Sequence, residues 1–235
     1  QLHSGGKFEH DSYKVSGGLH GVAVSVVNAL SERLKLEINR EGKKHFIEFI
    51  DGKAKAPLKV IGKSKSNGTE INFLPSKEIF SSTKFSTNII QKRMRELAFL
   101  NKGIKISIND LTQKKPRNVD FKFNGGIIEF VDFLDEKREK LQNKSGNDLF
   151  KKPIYIEGKK GNVEIECSLK WNAGYSEDVY PYTNNIFQKD GGTHILGFVI
   201  PFSKRDSWLL IPKQRTPFNL HDHAEIGSKS LITRS

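Results

Sequence analysis

Three stretches of this sequence alternate apolar and polar side chains with a period of two. Leu34, Leu36 and Ile38 alternate with Arg33, Lys35 and Glu37. Ile104, Ile106 and Ile108 repeat the pattern. The longest run places Val163, Ile165, Cys167, Leu169 and Trp171 on one side and Glu164, Glu166, Ser168 and Lys170 on the other. Successive side chains of a strand point to opposite faces, so each run predicts a strand with one face toward a core. Helical spacing appears between them. Val22, Val26, Val27 and Leu30 predict a helix starting near Leu19 or His20, and Ile89, Ile90, Met94, Leu97 and Ala98 predict another over 86–100. Ile127, Phe130, Val131 and Leu134 form a third stripe, predicting a helix within 126–140. Strands and helices in this mixture predict an α+β fold, an antiparallel sheet with helices on one face.

Turn signals divide the strands. Glu41-Gly42 predicts a hairpin turn with a partner strand at 44–50, and Asn67-Gly68 precedes a strand over 69–73. Phe121 and Phe123 end a strand before Gly125-Gly126. Residues 112–118 form a polar turn and a candidate boundary. Residues 135–152 and 181–194 read as loops, the latter with Asn184-Asn185 and Asp190-Gly191-Gly192. Cys167 is predicted to lie buried between Ile165 and Leu169 on the core face.

At 235 residues, 36% hydrophobic and 28% charged, the chain can bury a core. A single cysteine excludes a disulfide framework and a Cys-rich zinc site. No apolar run approaches the ~18 residues of a membrane helix, and no secretory signal is read at the start, so a cytoplasmic protein without a membrane partner is expected. The net charge of +12 points to an anionic partner, or to solubility alone, since the lysines are scattered. The first residue is not Met, and an N-terminal segment is expected to be missing.

The stretch Ser16-Gly17-Gly18-Leu19-His20-Gly21-Val22 is the candidate site. Glycines let backbone N–H groups approach an anion, and a following helix points its positive end at the same place, which suits phosphate. It is neither a Walker A loop, lacking Gly-Lys-Ser/Thr, nor a Rossmann fingerprint, lacking a leading strand. Lys7 could pair with a phosphate and Tyr13 could donate a hydrogen bond; a surface lysine and a packing tyrosine are the plain alternative.

These residues carry a resemblance. Gly5-Gly6-Lys7-Phe8 and Tyr13-Lys14-Val15-Ser16-Gly17-Gly18-Leu19-His20-Gly21-Val22 resemble the ATP lid of the bacterial DNA gyrase B-subunit family. Val26 to Ser31, Arg95 to Asn101, Thr183 to Ile186 and Asp190 to His194 extend the match. The B-type subunit of topoisomerase IV is the related alternative. The resemblance implies a partial GHKL (Bergerat) ATPase domain over 1–124, and over 125–198 the start of a transducer domain, a ribosomal-S5-like unit. It implies ATP with Mg2+ as cofactors. As partners it implies duplex DNA, the gyrase A subunit, and a second B subunit in an A2B2 heterotetramer. The activity it implies is ATP-driven strand passage with negative supercoiling.

By the same resemblance, Lys7 contacts phosphate and Tyr13 the adenine side. Gly18, Leu19, His20, Gly21 and Val22 form the backbone cradle of the triphosphate. Thr69 lies at the adenine end and Arg40 on the pocket rim. The family's phosphate loop ends in Gly where this chain has Ala23, whose methyl could crowd a backbone needing positive φ. Phe187 replaces a proline. The family's general-base glutamate, its Mg2+-binding asparagine and its adenine-reading aspartate are expected upstream of Gln1, and its γ-phosphate lysine beyond residue 235. The chain alone is therefore expected to be catalytically incompetent. The resemblance is expected to stop after Phe198. Residues 199–235 then read as a divergent, disordered tail that leaves an apolar sheet face near Ile165, Leu169 and Trp171 exposed. His221-Asp222-His223 is a weak metal candidate there. A non-catalytic nucleotide- or DNA-binding module and a pseudogene product are the competing readings.

Overall fold

The computed structural model describes residues 22–161, 163–175, 177–191, 194–195 and 197, and the backbone of 229–234. The chain divides after Ser86 into two compact units.

The first unit opens with α1 (Ala23–Ala29) and continues through β1 (Ser31–Arg40), β2 (Lys43–Ile50), β3 (Lys53–Ala54), β4 (Lys59–Lys63) and β5 (Gly68–Pro75). Its sheet runs β3-β2-β1-β5, with β4 also on β2, and every pairing is antiparallel. The predicted Glu41-Gly42 turn holds, and the strand expected from residue 69 begins at Gly68. Glu41 (φ 54) and Gly42 (φ 75) form a two-residue left-handed turn, the type that matches the twist of hairpin strands. That turn sets the register in which Leu34 faces Phe49, Leu36 faces Ile47 and Ile38 faces His45. On the other side the same residues face Phe73, Ile71 and Thr69. One face of the sheet is thus apolar. The opposite face carries Lys35, Glu37 and Glu48, and there Lys44 Nζ meets Glu37 Oε2 at 2.5 Å. α1 packs on β1, and Leu34 is 1% exposed. Ser31 Oγ donates to Val27 O (2.6 Å), closing the α1–β1 corner, and Asn28 Nδ2 donates to Gly52 O (3.1 Å), tying α1 to the turn between β2 and β3.

The second unit contains α2 (Thr87–Leu100), the hairpin of β6 (Lys105–Asp110) and β7 (Arg117–Lys122), α3 (Ile127–Asp135), β8 (Ile154–Lys160), β9 (Val163–Trp171), β10 (Asp178–Thr183), β11 (Ile186–Phe187) and β12 (Lys229–Arg234). Its larger sheet runs β11-β10-β12-β9-β8. The core joins α2, α3 and β10 through Phe99, Leu100, Ile127, Phe130, Val131 and Tyr182. The Phe99 ring stacks on Phe123 and Phe130 with centroids 3.6 and 4.8 Å apart. Gly126 opens α3 at φ 63 and ψ −130, a conformation that costs an L-residue strain. Cys167 (1% exposed) and Leu169 form a second small cluster with Trp171 and Val179.

Several expectations are corrected. α1 begins at Ala23; the expected start at Leu19 or His20 lies outside the described residues. The stretch 181–194 is not all loop, because β10 runs to Thr183 and pairs with β11. The side of β9 expected to face away is covered at its end by α3, so Ser168 is 0% and Lys170 5% exposed. On the other side Cys167 is buried as expected, but Ile165 is 44% exposed. Leu169 is buried and Trp171 stacks on Phe150, so the open apolar surface is made by Ile165 with Ile154 and Ile156 of the neighbouring β8. The tail is not without regular structure. Residues 229–234 form β12, parallel to β10 and antiparallel to β9, because extended backbone there satisfies the ladder groups of both neighbours.

Candidate nucleotide site

Of the ten candidate residues, Lys7, Tyr13, Gly18, Leu19, His20 and Gly21 lie outside the described residues. The other four belong to the first unit. Val22 is the N-cap of α1 (φ −106, ψ 3) and is half-buried. Ala23 is the first helical residue and is exposed. Its backbone is right-handed helical, so its methyl meets no positive-φ constraint there. Thr69 lies on β5 directly opposite Ile38. Arg40 ends β1, two residues beyond Ile38, and by strand alternation falls on the same face. The topology therefore brings Thr69 and Arg40 to one end of the apolar face. The Arg40 guanidinium leans on Glu41, with Nε 3.2 Å from Oε1, and its side chain is 77% exposed.

At the other end of β5, Val27 of α1, Leu30 just beyond it, and Phe73, Pro75, Phe80 and Phe85 line an apolar pocket of about 200 Å3. Phe73 and Phe85 meet edge to face at 6.0 Å. Among the described residues no three His, Cys, Asp or Glu side chains stand together as a metal site. His221-Asp222-His223 lies outside the described residues.

The second unit brings together two of the motifs that carried the resemblance. Arg93 lies on α2 just before the Arg95–Asn101 segment, which runs one residue past the end of that helix. It pairs with Glu96, and its Nη2 donates to Asn185 O at 3.0 Å. Asn185 Nδ2 in turn donates to Asn101 Oδ1 at 3.0 Å, and Asn101 Nδ2 to Leu97 O at 2.7 Å. Asn184 and Asn185, at φ 47 and 64, make the tight turn between β10 and β11 that presents these groups. Burial first, and Glu96 beside it, hold the Tyr182 hydroxyl protonated well above the ordinary tyrosine range. Arg95 lies over the rings of Phe121 and Phe133, at 5.3 and 5.0 Å. The sequence marks the two motifs but not their partner Arg93, whose only signal is its helical spacing from Glu96.

The family model described as DNA gyrase B matches residues 126–205. The B subunit of DNA gyrase from Chlamydia muridarum is 47% identical over 201 residues, 84% of this chain and 24% of the relative. The same subunit of Borrelia hermsii is 42% identical over 239 aligned residues, 99% of this chain and 36% of the relative. Among solved structures, the 43K ATPase domain of Thermus thermophilus gyrase B, in complex with an aminocoumarin, superposes with a TM-score of 0.72. It is 32% identical, and the match covers 91% of this chain and 58% of that one. The chain thus spans a quarter to about a third of the length of these curated relatives. The Borrelia hermsii alignment runs through the tail, so the resemblance does not end at Phe198.

The fold and these matches make the chain similar to the solved ATPase domain of gyrase B and to the family described as DNA gyrase B. Over 84 to 99% of its own length the chain is similar to the bacterial DNA gyrase B subunits. Among the described residues no helix is long and apolar enough to cross a membrane.

Proposed function

We propose that the chain forms part of the ATP-driven subunit of a cytoplasmic type II topoisomerase that supercoils duplex DNA negatively. It would work with the gyrase A subunit, together with a second B copy, in an A2B2 assembly. Residues 1–124 serve as the nucleotide-binding part and 125–198 as the start of the transducer; the family match beginning at residue 126 supports that division. Thr69 receives the adenine end of ATP and Arg40 stands at the rim. Lys7, Tyr13 and the Gly18–Ala23 stretch hold the rest of the nucleotide. The observation that carries this reading is the shared face: Thr69 and Arg40 lie at one end of the same apolar sheet surface on which α1 packs. An apolar wall with a few convergent polar groups suits a flat base. Mg2+ accompanies ATP in this reading. Among the described residues none is assigned as its ligand.

No general-base glutamate is assigned among these 235 residues. Such a base contributes ~10²–10⁴-fold to rate, so the polypeptide on its own turns ATP over slowly. Titration with a fluorescent ATP analogue tests binding, and a steady-state assay tests turnover. Thr69→Ala removes one hydrogen-bonding group, worth about 1 kcal/mol, or roughly fivefold in affinity. An unaltered chain that binds no nucleotide, or binding indifferent to Thr69→Ala, would sink the proposal. Turnover equal to that of an intact gyrase would sink its kinetic part.

A further inference from the structure

We infer that a row of three cations across β1, β2 and β4 is a contact surface for the phosphate backbone of duplex DNA. The two-residue turn at Glu41-Gly42 places Arg40 directly opposite Lys43. The next strand pair places Lys43 directly opposite Lys63. Neighbouring strands lie about 4.8 Å apart, so the row is about 10 Å long.

Like charges facing each other across strands are unfavourable, and nearby lysines avoid that cost. Lys44 meets Glu37 at 2.5 Å and Lys55 meets Glu48 at 3.3 Å. Arg40 leans on Glu41. Among the described residues, Lys43 and Lys63 have no carboxylate within the 4.0 Å of an ion pair. Both are exposed. The surrounding segment 40–65 holds eight lysines and arginines against three carboxylates.

A small ligand is held by a concave site that buries most of it, whereas this row lies open to solvent. An extended polyanion fits it better. Duplex DNA carries one negative charge per ~1.7 Å of its axis, so a row of this length meets several charges at once and releases their counterions. The choice of DNA as the polyanion rests on the function proposed above.

Binding of a random-sequence duplex is measured by fluorescence anisotropy on the full 235-residue chain, between roughly 50 and 200 mM salt. Each phosphate contact contributes about 0.9 to the slope of log K against log salt, so Lys43→Ala with Lys63→Ala flattens the slope by about 2. The pair Lys114→Ala with Lys115→Ala removes the same net charge from exposed positions in the second unit and leaves the slope unchanged. Lys43→Arg with Lys63→Arg keeps the slope. Equal flattening by both alanine pairs, or none by the first, overturns the inference. So does a loss confined to vesicles of anionic lipid. Nucleotide titration of the same samples separates the two claims. An unaltered chain that binds nucleotide while the first pair leaves DNA binding intact fails only the inference. An unaltered chain that binds no nucleotide fails the functional reading beneath it.

Discussion

Cys167 shows how far a single residue can be read from sequence. Its burial follows from the alternation of β9, and it is 1% exposed. Burial disfavours the thiolate and pushes the thiol from 9.0 up to about 12. The native state therefore keeps its proton where the unfolded chain releases it. Stability from this group is fully present below pH 9 and is lost as pH rises from about 9 toward about 12. Urea unfolding across that range should show the unaltered chain losing stability relative to Cys167→Ala. A constant difference between the two would contradict the placement. Lys170 is not legible in the same way. Alternation puts it on the polar side of β9, correctly, but cannot show that α3 covers that side. Arg40 and Thr69 are legible only as residue types; that they share a face and an end follows from the register of β1 with its two neighbours.

At the scale of elements, α3 and β9 meet through a buried ionic cluster. The Asp135 carboxylate accepts from Lys140 Nζ at 2.6 Å and Asn172 Nδ2 at 2.8 Å, with Lys170 Nζ at 3.4 Å. Lys170 Nζ also donates to Asp132 at 2.7 Å. Asp135 is fully buried and the Lys170 side chain is 6% exposed. Removing one partner of a buried pair strands the other, so Asp135→Ala should cost about 3–5 kcal/mol in denaturant unfolding. Asp135→Leu with Lys170→Met should recover part of that loss. A cost below about 1 kcal/mol for Asp135→Ala would show that the cluster is hydrated rather than buried. The elements with clean periodicity, among them β1, β2, α2, β6 and β9, are legible in the sequence. β10 is not, because Pro181 and its flanking tyrosines break the pattern. Pro181 O accepts from Gln188 N at 2.9 Å, so its missing N–H falls on the side of the two-residue β11, where little ladder is lost. β8 is hidden because Ile154, Tyr155 and Ile156 are consecutive and Gly158 follows.

For the molecule as a whole, the sheet of the second unit depends on β12, which lies between β10 and β9. Nothing local signals this strand, because Lys229–Arg234 is short and the partners that make it a strand lie far back in the chain. Leu231 stands opposite both Leu169 and Val179. Leu231→Pro should remove a ladder bond in an interior strand and lower the melting temperature sharply, whereas Leu231→Val should be mild. Calorimetry that finds the two variants alike would show that β12 does not hold the sheet together. The same arrangement has a consequence for synthesis. Both strands that β12 joins leave the ribosome before it does, so for that interval each presents an unpaired edge, and Ile154, Ile156 and Ile165 lie open nearby. Until the joining strand arrives, the nascent chain is a natural client for a chaperone, and a pause in translation just before it is where aggregation would begin.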